Sequence, residues 1–90
     1  GMGVHRPYVG FRMSIVPGEG FTVQQVQVGS PAYQAGLRPL DQVLEWNGKK
    51  LVFGTDWREV SPDDIGKSFR VKYRRGNSVT ETSLKVASQE

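Results

Sequence analysis

Ninety residues form one small domain with chain enough for a single core. Its 37% hydrophobic residues and nine aromatics favour folding over disorder, and the absence of cysteine excludes disulfides and thiolate metal sites. Twelve basic against nine acidic residues leave a net charge of +3, too modest an excess to imply a nucleic-acid partner.

The first five residues read as an N-terminal tail. Gly1 before Met2 looks like a remnant of tag removal, which points to a domain excised from a longer protein. Met2-Gly3 opens like a myristoylation motif, but Pro7 stands where that motif needs Ser or Thr. No apolar run is long enough to span a membrane, no signal peptide is apparent, and direct membrane insertion is not expected.

Tyr8 to Ile15 is predicted as one strand, with Val9, Phe11, Met13 and Ile15 sharing a face. Pro17-Gly18-Glu19-Gly20 is a turn. In Phe21 to Val28 the apolar phase slips between Val23 and Val26, and a bulge near Gln24-Gln25 reconciles the two halves. Ser30 caps a very short helix that starts at Pro31, carries Ala32 and Ala35 on a narrow face, and ends at Gly36. That helix is expected to pack through both alanines. Leu37 supplies an apolar anchor and Val43 to Trp46 a strand. Asn47-Gly48 is a two-residue hairpin turn whose expected return strand is Leu51 to Phe53.

From Gly54 to Gly66 two arrangements are open. Thr55 can cap a helical turn bearing Trp57 and Val60, and Pro62 either kinks that helix or begins a second one. Phe69, Val71 and Tyr73 alternate with Arg70, Lys72 and Arg74, a half-buried strand with a basic outer face. Arg75-Gly76-Asn77 turns into a last strand, Val79 to Val86, and residues 88–90 read as a tail. The fold class expected is mainly β with one or two short helices, a small, partly open β-barrel of five to six strands.

Residues 29–48 carry the most specific signal. They resemble the G-S-P-A-x-x-A-G-L-x-x-G-D-x-[IV]-[IL]-x-x-[ND]-G signature of bacterial-type PDZ domains, peptide-binding modules attached to many proteases. Arg6-Pro7-Tyr8-Val9-Gly10-Phe11-Arg12-Met13 is similar to the R-x-Y-[IL]-G-[IVF]-x-M opening of PDZ domains in HtrA-family serine proteases and related processing proteases. The resemblance covers about residues 6–87.

Several expectations follow from it. A loop of Tyr8, Val9, Gly10 and Phe11 would hold the carboxylate of a peptide C-terminus on main-chain amides, which form an anion-binding nest. The peptide would add as a strand along Arg12, Met13 and Ser14, its apolar last residue entering a pocket floored by Val9, Phe11 and Met13. Trp57 and Val60 would face it from the helix opposite. A Cβ at Gly10 would crowd the loop, so Gly10→Val is expected to abolish binding while leaving the fold largely intact. Partners implied are C-terminal or extended peptides with an apolar end, and the domain of a parent protease, serine or other. A cell-envelope, periplasmic or organellar location is implied in the same way.

Two departures stand out. Leu40 occupies the glycine position of Leu-x-x-Gly-Asp, where a positive φ would strain it. Pro62 interrupts the groove helix. Other classes of function have less behind them. His5 is the only histidine, with no partner nucleophile to make a catalytic arrangement. Asp63-Asp64 fits the acidic first turn of a helix better than a pair of catalytic carboxylates. Arg70, Lys72, Arg74 and Arg75 form a stripe without interleaved aromatics, a solvated face rather than a nucleic-acid site. The expected function is therefore a non-catalytic module without metal or cofactor, recruiting substrate to a protease or regulating it. Alternatives are a docking module whose groove is unused, or a PDZ domain of a non-protease adaptor.

Overall fold

The computed structural model describes residues 6–18, 20–52 and 59–89. Among these residues, eight strands and one short α-helix follow in the order β1 (Arg6–Tyr8), β2 (Phe11–Val16), β3 (Gly20–Val26), α1 (Pro31–Gln34), β4 (Gln42–Trp46), β5 (Lys49–Lys50), a single 3-10 turn (Pro62–Asp64), β6 (Ser68–Arg75), β7 (Ser78–Lys85) and β8 (Ala87–Gln89). The main sheet runs β2-β3-β4-β6-β7, antiparallel throughout, with β5 appended to β4; β1 and β8 pair separately. The main sheet does not close into a barrel, so among the described residues β2 is left as an open edge.

The core is built from alternate residues of the strands. Phe21 and Val23 of β3, Val43 and Trp46 of β4, Phe69, Val71 and Tyr73 of β6, and Leu84 of β7 are all buried, together with Leu37 and Val86. Burial of one sheet face at period two fixes the register of each strand. The basic outer face of β6 is largely neutralised. Arg70 pairs with Glu81 at 3.1 Å, Lys72 with Glu45 at 2.8 Å, and Arg75 with Asp41 at 2.7 Å.

Residues 29–48 fold as their pattern requires. The Ser30 side chain accepts from the Tyr33 N–H at 3.2 Å, capping α1. At its far end Leu37 N–H donates to Ala32 O at 3.0 Å across Gly36, whose φ of +99° reverses the chain there. Ala32 is fully buried and Ala35 packs partly buried against the core. Leu40 has a φ of +77°, the strained left-handed conformation, with its side chain 82% exposed. The loop is held in that shape by its neighbours. Leu40 N–H donates to Val23 O, Val23 N–H to Asp41 O, and the buried Asp41 carboxylate accepts from Arg38 N–H and from two nitrogens of Arg75.

Several boundaries differ from the sequence reading. The strand expected over Tyr8 to Ile15 is broken at Val9-Gly10, because Gly10 has a φ of +81°. Val9 consequently leaves the face it was expected to share with Phe11 and Met13 and enters the core, 1% exposed, while Ile15 is 51% exposed. The return strand after Asn47-Gly48 is Lys49–Lys50, ahead of the expected Leu51 and Val52, while Phe53 lies outside the described residues. A two-residue loop pairs Trp46 with Lys49 at once. Ser88 and Gln89, expected in a C-terminal tail, instead pair with Pro7 and Arg6. The expected bulge is present: Arg12 lies opposite Gln25 and Met13 opposite Val23, leaving Gln24 as the extra residue.

Candidate functional site

The loop Val9-Gly10 is suspended between β1 and β2 by contacts from the second sequence motif. Ala32 N–H, in the first turn of α1, donates to Val9 O at 2.9 Å. Gln27 N–H donates to Gly10 O at 2.8 Å, and Ser30 Oγ lies 3.4 Å from the same oxygen. The Tyr8 hydroxyl donates to Gln27 Oε1. Both carbonyls of the loop are thus occupied from the protein side. Among the described residues, the N–H groups of Val9 and Gly10 donate to no protein acceptor.

The register extends this row of free donors. Gln27 donates to Gly10, so the next pair along, Phe11 with Val26, falls at a non-hydrogen-bonded position. The N–H and C=O of Phe11 therefore point away from β3, toward the open edge. Three consecutive residues offer main-chain donors where a strand could be added.

Beside this edge lies an open groove of about 540 Å³, walled among the described residues by Pro7 through Arg12, Gln25, Gln27 and Glu59. Trp46 ties its two sides together. The Trp46 ring stands 5.5 Å from that of Phe11 on β2 and 5.5 Å, edge-on, from Phe69, and its Nε1–H donates to Glu59 O at 2.7 Å. A buried indole needs an acceptor for its N–H, and here that acceptor is the main chain of the facing segment. Burial of Glu59 in this position pushes its carboxyl pKa up.

Just beyond Glu59 the chain turns through Pro62–Asp64. The Ser61 N–H and Oγ–H both donate to Asp64 Oδ2, at 2.9 and 3.1 Å. These bonds hold the Asp64 carboxyl below its usual range. The sequence signal of a cap, a proline start and acidic residues thus corresponds to a single 3-10 turn.

Of the residues singled out from sequence, Tyr8, Val9, Gly10, Phe11 and Arg12 meet around the groove. Val9 contributes its backbone there, its side chain being in the core. Met13 and Ser14 lie farther along β2 and do not line the groove; Ser14 Oγ accepts from Gln24 Nε2. Val60 packs, partly buried, against the core. Trp57 lies outside the described residues. Sequence reading missed Glu59 and Gln27 as groove residues and Trp46 as the link between its sides. The signal for such a link is the need of a buried tryptophan for an acceptor for its indole N–H.

The expectation that Gly10→Val spares the fold needs correcting. A Cβ at Gly10 would sit 2.2 Å from Ser30 Cβ and 2.5 Å from Ser30 Oγ. A side chain there must displace the start of α1, so the substitution damages the structure as well as the loop.

With this geometry in view, comparison with known proteins is decisive about family. The PDZ domain family model matches residues 7–86. The chain belongs to the PDZ domain family. Over 58 residues, 63% of this chain, it is 41% identical to HhoB of Synechocystis sp., named as a serine protease. Over 65 residues it is 28% identical to a protein of Neisseria meningitidis named as a zinc metalloprotease. The PDZ chain spans only 14% and 15% of the length of these curated relatives. Among solved structures, the serine endoprotease of Yersinia pestis matches 97% of this chain and 30% of its own, at 26% identity and a TM-score of 0.70. The HtrA3 PDZ domain, solved with the phage-derived ligand FGRWV, matches 96% of this chain and 89% of its own. Its TM-score is 0.78 at 24% identity, which shows a shared fold. As a PDZ domain this chain is a binding module by family rather than a catalytic one.

Proposed function

We propose that this PDZ domain binds the C-terminus of an extended peptide by strand addition to β2, within a larger protease whose substrate it recruits or whose activity it regulates. The observation that carries the reading is the coincidence of the open β2 edge with unpartnered amides of Val9 and Gly10 at the head of one groove. A terminal carboxylate placed there would accept from the amides of Val9, Gly10 and Phe11, and the peptide backbone would continue along β2. The last side chain, apolar, would lie beside Phe11. The loop's attachment to α1 and Gln27 fixes the donors before the ligand arrives, which lowers the ordering cost of binding. Protease relatives far longer than this chain support the parent assignment.

Calorimetric titration with peptides ending in Val, Leu or Ile tests the reading. Binding in the micromolar range, roughly −7 to −8 kcal/mol, is expected for free acids. Amidating the terminus should remove most of it, because the amides would then face a neutral group. Equal affinity for acid and amide, or no binding by either, would refute the carboxylate assignment in favour of a docking module with an unused groove.

A further inference from the structure

The main sheet has a second edge, β7, at the end opposite β2. β7 and the segments on either side of it are described throughout. β6 and β7 pair without a register shift from Arg75↔Ser78 to Ser68↔Lys85. Their two-residue loop, Gly76-Asn77, makes Arg75 and Ser78 a hydrogen-bonded pair, and such pairs recur at every second residue. Thr80, Thr82 and Leu84 therefore bond to β6, while Val79, Glu81, Ser83 and Lys85 direct their N–H and C=O groups along the outer edge. The bond from Asn47 N–H to Arg70 O agrees with this parity, since Arg70, opposite Ser83, faces β4. Leu84 is buried and the Thr82 hydroxyl donates to Ala35 O at 2.8 Å, so α1 is tied to the core face of β7 rather than to its edge.

Native edge strands are commonly blunted by proline, a bulge or a lysine. β7 has neither of the first two, and its outer-face charges are of opposite sign. Glu81 and Lys85, both exposed, stand on either side of Ser83. That order is self-complementary. In a two-fold antiparallel pairing the outward-directed residues must oppose one another, so the register moves in steps of two residues. With Ser83 opposite its counterpart in a second copy, Glu81 of each chain stands opposite Lys85 of the other. One step either way sets Ser83 against Glu81 or Lys85, and two steps set like charges against each other. Opposed unlike charges stabilise a strand pair and like charges destabilise it, so a single register is favoured.

We propose that β7 is a self-association edge through which two copies of this domain pair antiparallel over residues 81–85, centred on Ser83. Each opposed pair exchanges two main-chain hydrogen bonds, and the outer two pairs add Glu81–Lys85 ion pairs. β2 lies at the far edge of each copy, so the two main sheets join into one and both grooves stay open. The contact buries less than about 1,000 Å², which sets a dissociation constant on the order of 0.1–1 mM for the isolated domain. The pairing itself does not depend on the peptide-terminus reading.

Sedimentation equilibrium of the wild-type domain from micromolar to millimolar concentration is expected to show a reversible monomer–dimer equilibrium. Glu81→Lys or Lys85→Glu alone sets like charges opposite each other and should weaken association about tenfold. The two substitutions combined leave the net charge unchanged and restore both ion pairs, so the dimer should return. Ser83→Pro removes a donor that points away from β6, a place where an edge strand tolerates proline, and should give a monomer at every concentration. Thermal unfolding checks the fold of each variant, and the Arg70 pair lost in Glu81→Lys is an exposed one. If Ser83→Pro fails to fold, the charge variants decide alone. A wild-type domain that stays monomeric at millimolar concentration overturns the proposal. So does a dimer indifferent to the single reversals, or a double variant that fails to recover. None of these outcomes alters the result of the peptide titrations.

Discussion

Replacing Arg75 by methionine isolates the contribution of the contact that shapes the loop before β4. Asp41 is 1% exposed and its carboxylate accepts three hydrogen bonds: from Arg38 N–H at 2.8 Å, Arg75 Nε at 2.8 Å and Arg75 Nη2 at 2.7 Å. Arg75 Nη2 also donates to Gly36 O at 2.7 Å, closing the end of α1. Methionine keeps most of the aliphatic stem while removing every one of these donors except Arg38. Removing one partner of a buried ion pair costs roughly 3–5 kcal/mol, because the other charge stays buried without compensation. The Arg75 side chain is 52% exposed, so water can enter the vacated space and the cost drops below that range, to about 2–3 kcal/mol. For a domain of this size that lowers the melting temperature by roughly 10–20 °C. Urea and thermal unfolding followed by circular dichroism measure it directly. Asp41→Asn combined with Arg75→Met should recover part of the loss, since no buried charge then remains unpaired. A loss below about 1 kcal/mol for Arg75→Met, or a double variant no more stable than the single one, would refute the reasoning.

Leu40→Gly should stabilise the fold by up to about 1 kcal/mol in the same assay, because φ is +77° and the exposed side chain loses little packing. Ala32→Leu should cost about 1–3 kcal/mol by overpacking a fully buried site, measured as a lower urea midpoint at unchanged slope. The raised pKa of Glu59 has a definite sign for stability. Its contribution is complete below the unfolded value of about 4.5 and is lost as pH rises through the higher folded value. The unfolding free energy of Glu59→Gln relative to wild type should therefore improve as pH increases over that window. Asp64 acts oppositely, its lowered pKa giving stability above about pH 3.8 that is lost on acidification, so Asp64→Asn should flatten the acid limb of the profile.

Local rules were enough for much of this protein. The α1 cap at Ser30, its stop at Gly36 and the Asn47-Gly48 hairpin each depend on residues within one turn of chain, so the pattern of residues 29–48 dictated them. The alternation in β6 dictated its buried face, and the slipped phase in β3 required the bulge at Gln24. Even the strain at Leu40 was legible, since a side chain stood where a left-handed residue was needed. Only the tertiary structure decided the rest. Whether Val9 faces groove or core depended on the break at Gly10, which exists because Ser30, Gln27 and Ala32 converge on that loop from more than fifteen residues away. Arg75 looked like one of a solvated row until folding brought Asp41, 34 residues distant, against its guanidinium. Glu59 entered the groove because a buried Trp46 needed an acceptor for its indole N–H. Each of these is a pairing between distant residues, satisfied only when burial removes water as the competing partner.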